Sequence, residues 1–403
     1  MSEATLQGRT AAPLTEDAAF EHIAAAGFRP GGPGLVGAEV EWHLTSAADR
    51  RRRIDDETVK AVLGVRDALP RCTRLSFEPG GALELSTRPA SVRECFDDLE
   101  ADRARLAAAL ADEGLELLGL GLDPVRLPRR VVRSARYQAM EELFDQDGRA
   151  GRWMMANTAS VQVCLDTGAE ADLAARWDLA HRLGPVLVAA FANSPLRRGE
   201  PSLWRSTRQH VWTAIDPSRS RPVPQGDPRE SWARYALDAR VMAVRGPGRW
   251  TVPRGLTFRD WLRDPGLRPP TGDDLDFHLT TLFPPVRPRG RYLELRMIDA
   301  QPGPDWIVPV AVAAALLDDP AAHQAAAEAL EPLWHGATAA DLYLRAATAA
   351  LHDPALAAAA RACFTAALAA QPDPVVAAAV QTFTDAYVAQ GRTRADDLVP
   401  GTR

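Results

Sequence analysis

Glutamate residues recur on the polar faces of short strand-like segments in this sequence. In the first segment, Glu39 and Glu41 alternate with the apolar residues Val40 and Trp42. Later segments carry glutamate in similar positions, at Glu78, Glu84 and Glu294. Side chains along a strand alternate between its two faces, so the glutamates of one segment point to the same side. Glutamate is depleted in strands, and its repeated use here calls for a specific role.

Carboxylates gathered on one concave face of a sheet would repel one another and would be costly to bury without a cation. Hard divalent cations that prefer oxygen ligands, Mg²⁺ or Mn²⁺, are the natural partners for such a face. A one-sided sheet whose polar face meets water would also tolerate glutamate. The spacing alone therefore leaves two interpretations: a cation-binding face, or the solvated face of a purely structural α+β protein.

Several familiar catalytic motifs are absent or lack their context. Lys60 is the only lysine, which excludes a P-loop of the G-x-x-x-x-G-K-[ST] type. Residues 32–37 satisfy G-x-G-x-x-G but precede a strand instead of opening a helix, which argues against dinucleotide binding. Cys164, on the polar side of its strand, could be a nucleophile, yet nothing near it in sequence indicates activation, so an inert thiol is favoured. Ser194 is not in a G-x-S-x-G elbow.

The composition is that of a soluble globular protein. The 403 residues are 46% hydrophobic and 25% charged, with a net charge of -6, which gives no electrostatic reason to expect nucleic acid or an anionic membrane as partner. The longest apolar runs, such as 307–317, fall short of the ~20 residues that a membrane helix needs. The first 20 residues lack the apolar stretch of a signal peptide. We therefore expect a cytoplasmic protein.

The elements that would position the glutamates are predicted from periodicity and end signals. Ser91-Val92-Arg93-Glu94 is a capping box, and Asp216–Arg229, rich in proline, serine and arginine, predicts a mobile loop near the bound ligand. The predicted strands are Leu35–Thr45, Leu75–Thr87 (a hairpin), Leu115–Leu122, Thr158–Leu165 and Arg291–Ile298. The predicted helices are Thr15–Ala26, 91–112, Asp172–Phe191 and, after Pro302, alanine-rich segments at about 306–318, 320–331, 339–351, 354–370 and 373–390. Because strands and helices do not alternate steadily, the order favours an α+β fold with an antiparallel sheet.

Six motifs occur together in one order across residues 34–302. They are G-A-E-V-E at 37–41, F-E-P-G-G-A-L-E-L-S at 77–86, M-M at 154–155 with T-A-S-V-Q-V at 158–163, F-A-N-S-P at 191–195, R-Q-H-V-W at 208–212, and Y-L-E-L-R at 292–296. In this order they resemble the glutamate–cysteine ligase family of the plant and actinobacterial type, and most closely its ergothioneine-pathway branch.

The resemblance implies a fold similar to glutamine synthetase, in which an antiparallel sheet forms an active-site funnel that holds ATP and two or three Mg²⁺ ions, with Mn²⁺ as a possible substitute. The resemblance covers a ligase core at 34–302, and the alanine-rich composition after Pro302 predicts a helical C-terminal subdomain at 303–395. We expect the two to form one catalytic domain over residues 1–403. Metal ions and arginines would then hold the ATP phosphates in place of a P-loop lysine.

The same resemblance assigns roles residue by residue. It implies Glu39, Glu41, Glu84 and Glu294 as Mg²⁺ ligands, with Glu78 and Gln162 as further members of the set. Arg296, beside Glu294, would contact the transferring phosphoryl group. Arg208 and Trp212 would bind the glutamate substrate, and Thr158 and Asn193 would line the same pocket.

The reaction implied is the ATP-dependent ligation of the L-glutamate γ-carboxylate to the L-cysteine amine through γ-glutamyl phosphate, which yields γ-glutamylcysteine, ADP and phosphate for ergothioneine biosynthesis. Two alternatives stay open: a ligase of the same fold with a different amine acceptor, and a non-catalytic relative that binds glutamate or nucleotide. Retention of every acidic strand position favours an enzyme. Its partners would be small molecules, without nucleic acid or membrane, and the sequence leaves the oligomeric state open.

Overall fold

A seven-stranded antiparallel sheet lies at the centre of the structure, a computed structural model that describes residues 14–399 except 33, 56, 59–61, 63, 65–68, 72, 73 and 267. Its strands are β1 Val36–Ser46, β2 Arg74–Phe77, β3 Leu83–Ser86, β4 Leu115–Leu118, β5 Ser160–Asp166, β8 Val286–Pro288 and β9 Tyr292–Asp299, while β6 Leu196–Arg197 and β7 Glu200–Pro201 form a separate hairpin. The strand order is β2-β3-β1-β5-β9-β8, and β4 pairs with the end of β1. The sheet is open.

Helices surround the sheet and make up the C-terminal part of the chain. They are α1 Glu16–Gly27, α2 Val92–Asp112, α3 Ala135–Asp145, α4 Ala150–Asn157, α5 Leu173–Ala190, α6 Thr207–Thr213, α7 Pro217–Ser220, α8 Pro228–Asp238, α9 Phe258–Arg263, α10 Gly272–Leu279, α11 Ile307–Asp318, α12 Pro320–Trp334, α13 Ala339–Thr348, α14 Pro354–Ala369, α15 Pro374–Phe383 and α16 Ala395–Leu398. A π-helical turn, Thr384–Val388, follows α15.

Aspartate–proline pairs open three of the C-terminal helices. The side chains of Asp319, Asp353 and Asp373 accept hydrogen bonds from backbone N–H groups in the first turns of α12, α14 and α15. The proline that follows has no N–H, but this costs nothing, because an N–H in the first turn of a helix has no partner within the helix. The predicted starts of these helices, at 320, 354 and 373, therefore agree with the structure to within a residue. Helix α12 continues through Pro332 to Trp334, beyond its predicted end at 331.

One face of the sheet forms the apolar core. Val40, Val163 and Leu295 point to this face and have no exposed surface, and helices α5 and α11 pack against it at β9 and β5. Each such side chain contributes roughly 1.5–3 kcal/mol relative to an exposed one. This burial leaves the opposite face of the same strands for polar residues, because neighbouring side chains alternate.

The predicted α+β class with an antiparallel sheet is confirmed. The predicted Leu115–Leu122 strand ends at Leu118, and Leu122 forms only an isolated bridge with Thr158. The division into 34–302 and 303–395 stays a prediction. Lys60 and Cys72 lie outside the described residues. Within the described part of the chain, no helix is both long enough and apolar enough to cross a membrane.

The predicted loop at Asp216–Arg229 is correct only for residues 221–227, which have no regular secondary structure, because Pro217–Ser220 forms α7 and Pro228 begins α8. Its mobility stays a prediction. Asp216 caps α7, and Arg219 is fully buried, with its Nε 2.9 Å from Asp216 Oδ2. The Arg219 guanidinium also donates to the backbone oxygens of Thr281 and Arg240. The start of this polar segment is buried because Asp216 and Arg219 pair in the interior, which composition alone does not reveal.

Candidate active site

Strand register gathers polar residues of several strands on one face of the sheet. Glu39 lies directly opposite Gln162 of β5, and Glu41 lies opposite Glu84 of β3. Glu294 of β9 lies opposite Arg287 of β8. Directly paired residues project to the same side of a sheet, so these side chains form one continuous polar surface.

A cavity of about 410 Å³ lies over this surface. Most residues predicted for the site line it, namely Glu39, Glu41, Glu78, Glu84, Thr158, Gln162, Arg208, Trp212 and Arg296. Glu294 is only 2% exposed and lies below the cavity wall, in contact with Arg296. The structure therefore brings the predicted acids and arginines of distant segments into one site, in which Glu294 lies just beneath the lining. Asn193, the remaining predicted residue, does not line the cavity.

Three carboxylates in this cavity converge. Oxygen atoms of Glu41, Glu78 and Glu84 all lie within 4.8 Å of one another, and these three form the acidic cluster. Glu41 accepts hydrogen bonds from the Ser160 N–H over 2.8 Å and from Gln162 Nε2 over 3.0 Å. These bonds fix the orientation of Glu41, which stands at the centre of the site.

The turn after β2 places Glu78 in the acidic cluster. The Glu78 N–H donates to the Ala82 carbonyl over 2.9 Å, and the Gly81 N–H donates back to Glu78 over 2.8 Å. Gly81 has a φ of +89°, which favours glycine. A Cβ on Gly80 would lie 2.0 Å from the Ala156 carbonyl oxygen, so no larger residue fits. The two glycines of the E-P-G-G motif are therefore required by geometry, because α4 packs directly on the turn.

Burial and the charges of neighbouring acids raise the pKa values of Glu39, Glu41 and Glu78. Burial, together with the charges of Glu294 and Glu84, raises the pKa of Glu39 to about 7. Burial and Glu84 raise the pKa of Glu41 to about 7, and burial, Glu41 and Glu84 raise the pKa of Glu78 well above its usual value. A bound cation would remove this repulsion, and a set of oxygen-only ligands suits Mg²⁺ or Mn²⁺. The acidic cluster thus fits a hard divalent cation.

Glu294 lies apart from this cluster because arginines surround it. Arg287 donates to both carboxylate oxygens, from Nε over 2.7 Å and from Nη2 over 2.9 Å, and Arg296 contacts Oε1. Burial alone would raise the pKa of Glu294, but Arg287, Arg296 and Arg289 hold it at about 2. Glu294 is therefore ionised and holds two guanidinium groups in place, and its role as a Mg²⁺ ligand stays a prediction.

A bulge in β9 sets the position of Arg296. Val161 pairs with Ile298 and Val163 pairs with Leu295, so β9 has one more residue than β5 across this interval. Bulges re-aim side chains and are frequent beside active sites. Arg296 lies opposite Gln162 and donates to its amide oxygen, while the Gln162 amide donates to Glu41. Gln162 therefore links the acidic cluster to the guanidinium group.

Arg208 is a buried cation in the lining of the same cavity, and two of its guanidinium nitrogens are hydrogen-bond donors without a partner among the described residues. It is 2% exposed, and its Nε and Nη1 have no hydrogen-bond partner among the described residues, nor does the Trp212 indole N–H. The Arg208 guanidinium carbon lies 5.6 Å from the centre of the Trp212 ring. Buried donors without partners cost about 1–3 kcal/mol each. This arrangement therefore indicates a place for an anionic ligand such as a carboxylate.

Asn193 does not line this cavity. Its Nδ2 donates to the backbone oxygens of Gly119 and Ala300 over 2.9 and 2.8 Å, so its amide is used within the protein. The Asn193 N–H donates to Asp299 Oδ2, which lies behind the cavity wall. The motif at 191–195 therefore supports the site from behind, and the predicted contact of Asn193 with substrate is corrected.

Sequence reasoning missed the acid that supports Arg208. Asp299 accepts hydrogen bonds from the hydroxyls of Ser194 and Ser206 over 2.7 and 2.9 Å, and Arg208 Nη1 lies 4.0 Å from its Oδ1. Ser206 also caps α6, the helix that carries Arg208 and Trp212. The feature of the sequence that could have identified Asp299 is its position at the end of the strand that begins with Y-L-E-L-R.

Four further arginines also line the cavity and were missed: Arg74, Arg136, Arg287 and Arg289. Arg287 and Arg289 lie on either side of Pro288 in the segment before β9, where a strand was not predicted. Their period of two, shared with Glu294 and Arg296 of the next strand, was the signal that could have identified them.

A second cavity of about 1040 Å³ adjoins the first, and both are lined by Glu39, Thr280 and Arg289. Gly37, Cys164 and Tyr292 line it further out. Burial and the charges of Glu294 and Glu39 raise the pKa of the Cys164 thiol well above its usual value. The thiol therefore stays protonated, which disfavours a nucleophilic role, as expected from the sequence.

The sequence of this chain is similar to those of known proteins over most of its length. The model of glutamate–cysteine ligase family 2 matches residues 35–400. The glutamate–cysteine ligase EgtA of Mycolicibacterium smegmatis is 45% identical over 354 residues, covering 86% of this chain and 82% of that protein. The EgtA of Mycobacterium tuberculosis (strain CDC 1551 / Oshkosh) is 43% identical over 381 residues, covering 90% of this chain and 86% of that protein.

A solved structure shows a similar fold. The glutamate–cysteine ligase of Francisella tularensis, determined in complex with AMP, superposes with a TM-score of 0.53. The match covers 92% of this chain and 85% of that chain, at 14% identity. At that identity the likeness concerns the fold alone.

Proposed function

The chain belongs to glutamate–cysteine ligase family 2, and we propose that its site joins the γ-carboxylate of L-glutamate to the amine of L-cysteine with ATP as phosphoryl donor. The products are γ-glutamylcysteine, ADP and phosphate. The observation that carries the proposal is the acidic cluster within the same cavity as Arg208, a buried guanidinium with unpartnered donors. One part of this cavity suits a cation and the other suits a carboxylate.

The chemistry has two steps. An oxygen of the glutamate γ-carboxylate attacks the γ-phosphorus of ATP, the bond to the ADP oxygen breaks, and γ-glutamyl phosphate forms. The cysteine amine then attacks the acyl carbon, phosphate leaves with the carboxylate oxygen, and the amine loses a proton. Neither step needs a nucleophile from the protein, so catalysis rests on positioning and charge neutralisation.

The acidic cluster would hold Mg²⁺, with Glu39 and Gln162 beside it and two or three ions as the expected number. Bound Mg²⁺ would neutralise the phosphate oxygens that a carboxylate attacker otherwise repels. Glu41 is held for this role by the Ser160 N–H and the Gln162 amide. The raised pKa values of the acids favour this role, because a cation would restore their charged forms.

Arginine side chains would bind the anionic groups of the substrates. Arg296, held by Glu294 and Gln162, is positioned to contact the transferring phosphoryl group. Arg208 and Trp212 would bind a carboxylate of L-glutamate, with Thr158 at the same wall. Since a guanidinium group stays charged when buried, it suits this task better than a lysine.

The product would supply ergothioneine biosynthesis, because the two mycobacterial EgtA proteins are 43–45% identical to this chain over most of its length. We place the reaction in the cytoplasm. The substrates are small molecules, which suits a cavity of about 410 Å³.

A phosphate-release assay with ATP, Mg²⁺ and L-glutamate, run over a panel of amines, tests the proposal. Release that depends on both glutamate and cysteine supports it. Release with another amine and none with cysteine would point to a ligase with a different acceptor. Phosphate release without glutamate, or no turnover with any amine, would overturn the ligase assignment.

A further inference from the structure

A third cavity, of about 750 Å³, lies between α5, the segment 221–225 and the start of α13. Among the described residues, none lines both this cavity and either of the two cavities of the candidate active site. We propose that the third cavity binds an α-amino acid with an apolar side chain. Such a ligand can bind here whether or not the protein ligates glutamate to cysteine.

The start of α13 offers hydrogen-bond donors to an anion. Thr338, Ala339 and Ala340 line the third cavity, and the Thr338 side chain accepts a hydrogen bond from the Asp341 N–H. The N–H groups of Ala339 and Ala340 have no hydrogen-bond partner among the described residues. Unpaired N–H groups of a first turn point out of the helix end, where they bind a carboxylate or a phosphate.

Arg221 brings a positive charge to the same cavity. Its side chain is exposed and makes no ion pair within the part of the chain that the structure describes. Arg182, the other arginine of the lining, is already paired, because its Nη2 lies 2.9 Å from Glu331 Oε2 and its Nη1 lies 3.6 Å from Asp178 Oδ2. Arg221 is therefore the guanidinium group that is free to bind a ligand carboxylate.

His181 contributes a buried hydrogen-bond acceptor. It lines the third cavity, is only 5% exposed, and has its Nδ1 2.9 Å from the Trp177 carbonyl oxygen. Since a carbonyl oxygen only accepts, Nδ1 carries the proton. Burial lowers the pKa of His181 to about 4, so the ring is neutral and Nε2 is an acceptor. Nε2 has no partner among the described residues, and an ammonium group would supply the missing donor.

Asp178 places a negative charge near this acceptor. It lies three residues before His181, so the two share one face of α5, and both line the third cavity. The Gln225 side-chain amide donates to Asp178 Oδ1 over 3.0 Å, which ties the segment 221–225 to α5. The third cavity thus has acceptors for an ammonium group as well as donors for a carboxylate, the two charged groups of an amino acid.

The remaining lining includes apolar surface. Trp334, Pro222 and Pro224 line the third cavity, and Trp334 is only partly buried. The Trp334 indole N–H donates to the Arg182 carbonyl over 3.0 Å, so the ring is held while its apolar surface borders the cavity. An apolar side chain that covers this surface would be removed from water on binding. A free phosphate would use the donors and leave both His181 and this surface without a partner.

The test uses L-phenylalanine and two analogues that each lack one charged group. The analogue 3-phenylpropionate lacks the ammonium group, and 2-phenylethylamine lacks the carboxylate. Titrations followed by ligand-observed NMR should give L-phenylalanine a Kd of about 1 mM or lower. Each analogue should bind at least about tenfold more weakly. Saturating L-glutamate, ADP and Mg²⁺ should change the Kd of L-phenylalanine by less than about twofold, because they bind elsewhere.

Two variants separate recognition of the amine from recognition of the carboxylate. His181→Phe removes the acceptor, so the Kd of L-phenylalanine should rise about tenfold while that of 3-phenylpropionate stays within about twofold. Arg221→Gln removes the cation, so both Kd values should rise about tenfold. Loss of folding would not produce these two different patterns. Arg361→Gln, at an exposed position of α14, is the control and should change neither value.

A third variant tests the helix start. Ala339→Pro removes one N–H at a position where proline suits a helix, because Thr338 before it is already extended, with a φ of −94° and a ψ of 156°. The Kd of L-phenylalanine should rise about fivefold or more. An unchanged Kd would remove the start of α13 from the site.

Three results would overturn the proposal. The first is no saturable binding of L-phenylalanine, L-leucine or L-methionine up to about 10 mM. The second is displacement of L-phenylalanine by L-glutamate, which would place the binding in the candidate active site. The third is equal binding of L-phenylalanine and 3-phenylpropionate, which would show that no group recognises the amine. An unmodified protein without glutamate-dependent turnover would contradict the proposed function alone, since these titrations do not depend on catalysis.

Discussion

Arg208 Nη2 donates a hydrogen bond to the backbone oxygen of Arg296 over 2.7 Å. The residue proposed to bind glutamate is thereby fixed to the strand residue proposed to contact the phosphoryl group. The bulge in β9 at this point and the buried Asp299 behind Arg208 hold both in place. A γ-carboxylate and a γ-phosphate must meet with accurate geometry, and this direct link between their binding groups is a physical basis for it.

The acidic cluster should be required for Mg²⁺ dependence. Glu84→Gln removes a charged ligand while the Ser76 and Ser86 hydroxyls still have a hydrogen-bond acceptor. We expect the Mg²⁺ concentration for half-maximal phosphate release to rise at least about tenfold and kcat to fall roughly 100-fold. Titration with Mg²⁺ measures both. Glu113→Gln, at an exposed glutamate that follows α2, is the matched control. An unchanged Mg²⁺ titration for Glu84→Gln would remove Glu84 from the metal site.

Replacement of Arg208 should weaken mainly the binding of L-glutamate. Arg208→Lys keeps a positive charge but loses the planar donors, so we expect the KM for glutamate to rise about 30-fold or more, with the KM for ATP changed less. Steady-state kinetics with each substrate varied measures this. Arg361→Lys, at an exposed position of α14, is the control. Equal increases in the KM values of ATP and glutamate would show that Arg208 acts on the whole site instead.

Asp299 should carry a large share of local stability. Asp299→Ala leaves the hydroxyls of Ser194 and Ser206 without their buried acceptor and the Arg208 guanidinium without the carboxylate that lies 4.0 Å from its Nη1. We expect the free energy of unfolding to fall by about 3–5 kcal/mol, measured by urea denaturation. Asp385→Ala on the exposed face of the π-helical turn should change it by less than about 0.5 kcal/mol. A loss for Asp299→Ala no larger than that of this control would contradict the proposed support of Arg208.

Buried histidines should make the protein less stable in mild acid. Burial lowers the pKa of His43 and His181 to about 4 and that of His278 to about 3. Between these values and the ordinary 6.5 the unfolded chain binds more protons, so stability falls as pH decreases through that range. At about 1.4 kcal/mol per pKa unit, His43 and His181 each contribute up to about 3 kcal/mol and His278 up to about 5 kcal/mol.

His181→Phe isolates one of these contributions. It removes the imidazole, so the free energy of unfolding should depend less on pH between 7.5 and 5, measured by urea denaturation at each pH. His335→Phe, at an exposed histidine after α12, should leave that dependence as it was. An equal pH dependence in His181→Phe and the unmodified protein would show that His181 does not titrate as described.

The faces of the strands could be predicted from the sequence, because alternation places Glu39 and Glu41 together whatever the neighbours are. The order in which the strands pair could not be predicted from the sequence. The convergence of Glu41, Glu78 and Glu84 depends on that pairing and on the turn at Gly80, so only the structure shows it. Asn193 was misplaced because membership of a motif does not distinguish a residue that touches substrate from one that supports the wall.

Arginines were the least predictable part of the site. Arg287 and Arg289 lie in a proline-rich segment that shows little strand character, and Arg219 lies in a polar segment whose charges pair in the interior. In both cases the decisive factor is which carboxylate a guanidinium meets after folding. That depends on contacts between distant segments, which local composition does not encode.

The most direct test of the account uses L-glutamate labelled with ¹⁸O in the γ-carboxylate. If γ-glutamyl phosphate forms, the attacking oxygen stays on phosphorus when the cysteine amine displaces it. Mass spectrometry of the released phosphate should then show one ¹⁸O atom for each γ-glutamylcysteine formed. Phosphate without ¹⁸O, released at the rate of ligation, would contradict carboxylate activation by phosphoryl transfer and with it the proposed role of this site.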